Sequence, residues 1–201
     1  MNCDKLVFIW YFTHMKNQTY AEATKNSPPN KLLRQALEFL SESNKALDIG
    51  SGSLRDSLFL KSKGFRELTA IDKEIPKANA EKVNFMHGKI EEFDFPQKEY
   101  DIVVAINSLP FLNTKTFEST FPKIIDSLKN SGVLCFTLFG NKDGWNSESK
   151  KESMNFHSKS EVLDLLKDFS DIKIFIEEER EGKTINGQEK HWHIFRVVVV
   201  K

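Results

Sequence analysis

The sequence has few cysteines, no long apolar run and no excess of charge of either sign. Its two cysteines, Cys3 and Cys135, lie far apart, which gives neither a disulfide framework nor a metal-ligand spacing. Residues 6–12 form an apolar run that is too short to cross a membrane. Lys plus Arg and Asp plus Glu both number 29, so no overall charge favours nucleic acid or a membrane surface. We expect a cytoplasmic protein with neither partner.

The length of 201 residues is typical of one domain with a substantial core. We predict an N-terminal extension with a short helix over residues 1–29 and a single domain over residues 30–201. Residues 1–14 either belong to the native chain or precede a translation start at Met15.

Helical and strand patterns alternate along the chain. The hairpin signal Asn186-Gly187 joins the last two strands. Alternating strands and helices predict an α/β fold, with a doubly wound, Rossmann-like sheet of about seven strands that is mostly parallel and ends in an antiparallel hairpin strand. The predicted strands are residues 46–49, 67–71, 83–86, 100–106, 132–138, 172–178 and 192–200. The predicted helices are residues 19–25, 30–41, 54–63, 74–80 and 114–129, the last with a kink or break at Pro122, and one helix capped by Ser160.

The first strand leads into a glycine turn that is typical of nucleotide-binding units. The strand ends at Asp48, the chain turns through Gly50 and Gly52, and the second strand stops on Asp72. In such a βαβ unit the acid meets a ribose while the rest of the ligand lies over the turn. A dinucleotide is disfavoured because Arg55 replaces the small residue needed for close packing, and because an acid follows it where a pyrophosphate would lie.

Four motifs together resemble the class I S-adenosylmethionine-dependent methyltransferases, particularly the small bacterial type related to tellurite-resistance and thiopurine enzymes. The motifs are the acid-x-Gly-x-Gly of residues 48–52, Asp72, residues 107–112 after the fourth strand, and residues 190–195 on the last strand. The resemblance covers about residues 30–201. It implies S-adenosylmethionine as cofactor and methyl transfer by in-line displacement.

The resemblance also implies a set of cofactor-binding residues. Asp48 is expected near the methionine ammonium group and Asp72 at the ribose hydroxyls. Two positions depart from the family: Leu54 stands where many relatives have a third glycine, and Lys89 stands where an acid often lies near the adenine. The expected cofactor-binding residues are Asp48, Gly50, Ser51, Gly52, Arg55, Asp72, Lys73, Ile90 and Asn107.

No catalytic residue is assigned, but Asn107 and His193 are candidates. An anionic or thiolate acceptor needs no general base, whereas an amine or hydroxyl acceptor would call on His193 or His157. His191 and His193 share one strand face, yet no third ligand is visible in the sequence, so we predict no metal. Phe111 either shields the sulfonium or packs in the core, and Trp145 is either a lid or a local anchor.

Three functions are compatible with these residues. We expect a methyltransferase that acts on a small-molecule acceptor, as a monomer or homodimer, because neither an extended basic groove nor a DNA-type acceptor motif is evident. A methyltransferase acting on protein or RNA, or a non-catalytic S-adenosylmethionine-binding module, is the alternative. The sequence does not identify the acceptor.

Overall fold

The computed structural model describes residues 20–76, 81 and 83–201. The predicted helix at residues 74–80 lies largely outside this part of the chain, as does most of the predicted extension. The helices are α1 (Tyr20–Thr24), α2 (Lys31–Ala36), α3 (Arg55–Ser62), α4 (Thr114–Ser127), α5 (Glu148–Lys151) and α6 (Lys159–Leu165), with 3-10 turns at Leu37–Phe39, Ile90–Glu92 and Leu109–Phe111. The strands are β1 (Lys45–Ile49), β2 (Glu67–Asp72), β3 (Asn84–His87), β4 (Tyr100–Ala105), β5 (Leu128–Phe139), β6 (Asp171–Lys183) and β7 (Glu189–Val200).

The seven strands form one sheet in the order β3-β2-β1-β4-β5-β7-β6. Strands β1 to β5 pair in parallel, and β7 pairs antiparallel with both β5 and β6. The predicted fold class is therefore confirmed. The strand order reverses between β1 and β4, and in open α/β sheets the crevice outside the carboxyl ends of two such strands is where ligands bind.

Helices cover both faces of the sheet, so its central strands are largely buried. Every residue of β4 is buried. Alternate residues point to opposite layers: Val103 packs with Phe117 of α4, while Ile102 packs with Leu60 of α3. Among the described helices, none is long and apolar enough to cross a membrane.

Two helix predictions differ from the structure at their ends. The α-helix that begins after Asn30 has the predicted cap, since the Asn30 side chain accepts a hydrogen bond from the Leu32 N–H, but it passes into a 3-10 turn at Leu37 and ends before residue 41. The prediction of a cap at Ser160 is wrong. Ser158 is the cap, because Glu161 stands three residues after it and completes a capping box.

Three further boundaries also differ. Pro122 lies inside α4 without ending it. Strand β5 begins four residues before the predicted start, and the predicted polar loop at residues 140–156 contains the short helix α5. The hairpin prediction is confirmed, with Gly187 at φ +78° in the turn between β6 and β7.

Leu54 adopts a backbone conformation that leucine rarely takes. Its φ is +63°, in the left-handed region, and its side chain is fully buried among Leu60, Ile106 and the other apolar residues beside α3. A β-carbon in this region approaches the following carbonyl oxygen too closely. Many members of the family that the sequence resembles have glycine at this position. Leu54 keeps the glycine-like backbone and places a buried side chain in the core.

This conflict predicts an unusual order of stabilities at residue 54. Leu54→Ala lowers the free energy of unfolding by about 2–5 kcal/mol because it removes a buried side chain. Leu54→Gly removes the same side chain but also relieves the backbone strain, so it costs about 1 kcal/mol less than alanine. Urea unfolding measures both values.

Leu60, which is also fully buried but lies inside α3, provides the matched control. There glycine costs about 1 kcal/mol more than alanine, as in any helix interior. The same order of alanine and glycine at both positions would contradict the strain at Leu54.

Candidate functional site

A cleft opens at the carboxyl end of β1, beside the reversal of strand order. Helix α1, β1, the glycine turn, the start of α3 and the end of β4 form its walls. Five of the residues expected from the sequence lie together here: Asp48, Gly50, Ser51, Gly52 and Arg55. The other lining residues are Tyr20, Thr24, Ser53, Asp56 and Ile106.

The glycine turn is tied to β2 and leaves no room for a side chain at its first glycine. The N–H groups of Gly50 and Ser51 both donate to the Ile71 carbonyl, at 2.8 and 3.1 Å. Gly50 has φ +72°, and a β-carbon there would lie 2.4 Å from the β-carbon of Ser108. Both conformation and space therefore require glycine at residue 50.

Asp48 is a carboxyl group that the fold holds away from water. It is 3% exposed and accepts a hydrogen bond from the Ser57 hydroxyl. Burial raises the pKa of Asp48 to about 7. The hydrogen bond from Ser57 lowers this pKa, whereas the neighbouring charge of Asp56 raises it. A cationic ligand group in the cleft would favour the charged form of Asp48.

Arg55 is engaged by the residue that follows it. Its guanidinium Nη2 lies 2.8 Å from Asp56 Oδ2, and Asp56 Oδ1 also accepts from the Asn30 backbone N–H at 2.8 Å. Asp56 thus links the start of α3 to the segment before α2, and its carboxylate compensates the charge of Arg55.

Asp72 joins the end of β2 to the glycine turn. Its Oδ2 accepts the Gly52 N–H at 2.7 Å, and its Oδ1 accepts the Glu74 N–H at 2.8 Å. Each carboxylate oxygen can accept a further hydrogen bond. Asp72 can therefore receive hydroxyl donors from a ligand beside the turn.

A chain of hydrogen bonds crosses from the sheet to α1. The fully buried Thr137 on β5 accepts the Asn107 N–H at 2.8 Å and donates to Asn107 Oδ1 at 3.3 Å. The Asn107 side-chain amide then donates to the Tyr20 hydroxyl at 3.1 Å. Sequence reasoning missed Tyr20, because no local pattern signals a contact between residues so far apart.

Four expected cofactor residues do not line this cleft: Asp72 and Asn107 are hydrogen-bonded to lining residues, whereas Lys73 and Ile90 are not. Lys73 is exposed, and its carbonyl oxygen lies 2.9 Å from Nε2 of His87. Ile90 packs against the core beside Phe93 and Phe95. Lys89, the departure noted near the adenine position, forms an exposed ion pair with Glu92. The roles of Lys73 and Ile90 stay predictions.

His193 is buried on β7, and both of its ring nitrogens have protein partners. Nδ1 accepts the Lys142 N–H at 3.1 Å, which leaves the ring proton of a neutral histidine on Nε2, 3.1 Å from Glu177. Glu177, Glu179 and His193 lie close enough to hold a metal ion. However, the Lys142 N–H directs the ring proton of a neutral His193 to Nε2, so this nitrogen has no lone pair for a metal. Lysines also pair with both carboxylates: Lys142 with Glu179 and Lys159 with Glu177.

His157 lies in the loop after β5, next to Asn155. It is buried, and its Nε2 lies 2.6 Å from Asn155 Oδ1. Burial lowers the pKa of His157. Within the described part of the chain, neither histidine is hydrogen-bonded to a residue that lines the cleft, so a role for either as a general base stays a prediction.

Comparison with known proteins agrees with this geometry. Residues 46–132 match the family described as a methyltransferase domain. Over 90 residues the chain is 34% identical to the malonyl-[acyl-carrier protein] O-methyltransferase of Calditerrivibrio nitroreducens. That match covers 41% of this chain and spans one third of the relative's length. Residues 46–132 are thus similar to a methyltransferase domain.

Solved structures share the fold of this chain at low sequence identity. TehB from Haemophilus influenzae has a TM-score of 0.69 at 18% identity, covering 90% of this chain and 66% of that one. The 1,6-didemethyltoxoflavin-N1-methyltransferase of Burkholderia thailandensis, solved with S-adenosylhomocysteine, has a TM-score of 0.60 at 17% identity, covering 96% and 85%. These likenesses confirm the architecture.

The polar groups of the cleft fit S-adenosylmethionine, the cofactor expected from the sequence. The buried Ser51 hydroxyl has no hydrogen-bond partner within the protein, which is unusual unless a ligand supplies one. Asp48 offers a carboxyl group to an ammonium group, and Asp72 offers acceptors to a ribose diol. The narrow glycine turn lets a ligand approach the backbone closely.

The raised pKa of Asp48 predicts a pH-dependent penalty on stability. The folded state keeps a proton that the unfolded chain loses near pH 4, so the contribution of Asp48 to stability declines as pH rises through about 7. Asp48→Asn cannot ionise, so it gains roughly 2–3 kcal/mol over the native chain between pH 5 and 8. Urea unfolding at both pH values measures this gain.

Asp101, at the amino end of the central strand β4, is the matched control. Burial raises its pKa, but Lys129 and two backbone N–H groups lower it further, so the net pKa is lowered. That stabilisation is complete above the unfolded pKa, so Asp101→Asn is less stable than the native chain by a constant amount from pH 5 to 8. Parallel pH curves for Asp48→Asn and the native chain would refute the account of Asp48.

Proposed function

We propose that this chain is a methyltransferase that binds S-adenosylmethionine in the cleft over the glycine turn and transfers its methyl group to a small-molecule acceptor. The functional unit is residues 30–201, with α1 contributing Tyr20 from the preceding segment. The observation that carries the proposal is the arrangement of two acids around one glycine turn: Asp48 buried beneath it, and Asp72 bonded to its Gly52 N–H.

Each acid suits a different end of the cofactor. Asp48 ionises to hold the methionine ammonium, because a nearby cation lowers the pKa that burial has raised. Asp72 accepts the two ribose hydroxyls with the acceptor sites that its two backbone N–H partners leave free. Ser51 supplies a hydroxyl that has no partner within the protein.

The bound cofactor supplies an activated electrophile, its sulfonium methyl group. The residues of the chain orient the reactants and exclude water. Asn107 suits this role because Thr137 fixes the orientation of its amide and thereby points the amide N–H groups towards Tyr20. Tyr20 closes the cleft from the side of α1.

A small acceptor is favoured by the form of the site. The cleft lies at the carboxyl ends of the strands of one sheet, and the Arg55 charge in its lining is paired with Asp56. The named activities of the two relatives above concern malonyl-[acyl-carrier protein] and 1,6-didemethyltoxoflavin. They support a small group as the methyl acceptor, and they do not select between an oxygen and a nitrogen atom as the site of methylation.

Calorimetric titration tests the assignment of the cofactor. S-adenosylhomocysteine is expected to bind the native chain, whereas NAD gives no measurable heat. Asp72→Asn is expected to weaken binding at least tenfold, by about 1.5–3 kcal/mol, because hydrogen bonds from the ribose to a charged carboxylate are lost.

The control is Glu74→Gln, the same type of change at an exposed residue in the same segment. It should leave the affinity unchanged. Because asparagine retains only one acceptor oxygen for Gly52 or Glu74, thermal unfolding of Asp72→Asn establishes that the turn is intact. Unchanged affinity in a folded Asp72→Asn variant would remove Asp72 from the ribose site, and binding of NAD in place of S-adenosylhomocysteine would remove the proposed cofactor.

A further inference from the structure

An aromatic ring stands open to solvent at the edge of the sheet where the acceptor must lie. Phe111 is 47% exposed, whereas Leu109 and Pro110 of the same 3-10 turn are buried. The turn directly follows β4, whose end carries Ile106 in the wall of the cleft and Asn107 beside it. An exposed ring next to a reaction site is available to a ligand.

The turn that carries Phe111 is held rigidly. Asn155, which is 1% exposed, donates from its side-chain amide to the carbonyls of Leu109 and Leu112, at 2.7 and 2.8 Å. Its backbone N–H donates to the Pro110 carbonyl at 3.1 Å. One buried residue thus satisfies three carbonyls of the turn, and the exposure of Phe111 is built into the fold.

The neighbouring rings support Phe111 without stacking on it. Phe139 lies 5.8 Å from it, centroid to centroid, at an interplanar angle of 76°, and Trp145 lies 6.3 Å away at 60°. Both are edge-to-face contacts, and neither neighbour lies parallel to the Phe111 ring. A planar ligand can therefore stack on it in the offset arrangement that aromatic pairs favour.

A buried ion pair holds the neighbouring ring of Trp145 in place. The Lys190 ammonium lies 3.5 Å from the ring centroid of Trp192 and 3.7 Å from that of Trp145. It pairs with Asp143 at 2.8 Å, with both side chains at most 2% exposed. Trp145 is thus fixed in place as an anchor, and the charge of Lys190 is compensated away from the open surface.

We propose that the methyl acceptor is a planar aromatic or heteroaromatic molecule that stacks on Phe111. This inference rests on the proposed function and narrows its substrate class. In the reaction the sulfur–methyl bond breaks and its electron pair stays on sulfur, while a lone pair of the acceptor forms the new bond to the methyl carbon. A carboxylate or thiolate acceptor carries no proton to remove.

The test compares acceptors matched in nucleophile and differing in the body of the molecule. The pairs are 2-naphthoate with decanoate and 2-phenylethanethiol with 1-hexanethiol, each with labelled S-adenosylmethionine. The aromatic member is expected to have the higher kcat/KM by about tenfold. Binding of 2-naphthoate and decanoate to the protein loaded with S-adenosylhomocysteine, measured by ligand NMR, gives the same comparison without turnover.

Phe111→Leu is expected to weaken 2-naphthoate binding about threefold to tenfold, the range for loss of a stacked ring, while the affinity for S-adenosylhomocysteine stays the same. Phe111→Trp retains a ring and should retain the preference. Leu163→Ala, which truncates an exposed apolar side chain on α6, should change neither ligand's binding.

The outcomes separate this inference from the function it rests on. Equal or tighter binding of decanoate, or a preference for 2-naphthoate that survives in Phe111→Leu, overturns the inference while leaving methyl transfer intact. Transfer to protein or RNA but to no small molecule also overturns it. Absence of S-adenosylhomocysteine binding overturns the proposed function itself.

Discussion

The burial of Asp48 at the end of β1 is the constraint on which the site depends. A carboxyl group at this depth is unfavourable unless it stays protonated or meets a cation. Among the described residues, the Ser57 hydroxyl is the hydrogen-bond partner of the Asp48 side chain. The overlying turn is tied to β2 through the Ile71 carbonyl. We propose that the missing cation is the ammonium of the cofactor, so that a group unfavourable in the empty protein becomes favourable in the complex.

The glycine turn shows a second compromise of the same kind. Residue 50 must be glycine because its backbone is left-handed and because Ser108 approaches too closely to leave room for a β-carbon. Leu54 holds a similar conformation without being glycine and gains burial in exchange. Gly50 lies in the turn and Leu54 where the turn enters α3, so local strain and packing together determine the path of the turn over which the ligand is proposed to lie.

Patterns local in sequence predicted most of the fold and half of the site. The buried run of β4 and the Asn186-Gly187 turn depend on neighbouring residues, and both predictions are confirmed. Tyr20 and the Lys190–Asp143 pair were missed because each depends on a contact between distant segments. No periodicity records such contacts, and they become visible only when the sheet brings the segments together.

Proton release on binding tests the central claim most directly. At pH 6 a carboxyl group with a pKa of about 7 is mostly protonated, so pairing with the ligand ammonium should release about 0.9 proton per site. Calorimetric titration of S-adenosylhomocysteine in buffers of different ionisation enthalpy measures this number, and Asp48→Asn should reduce it to near zero. Tight binding of S-adenosylhomocysteine without proton release at pH 6 would contradict the pairing of Asp48 with the cofactor.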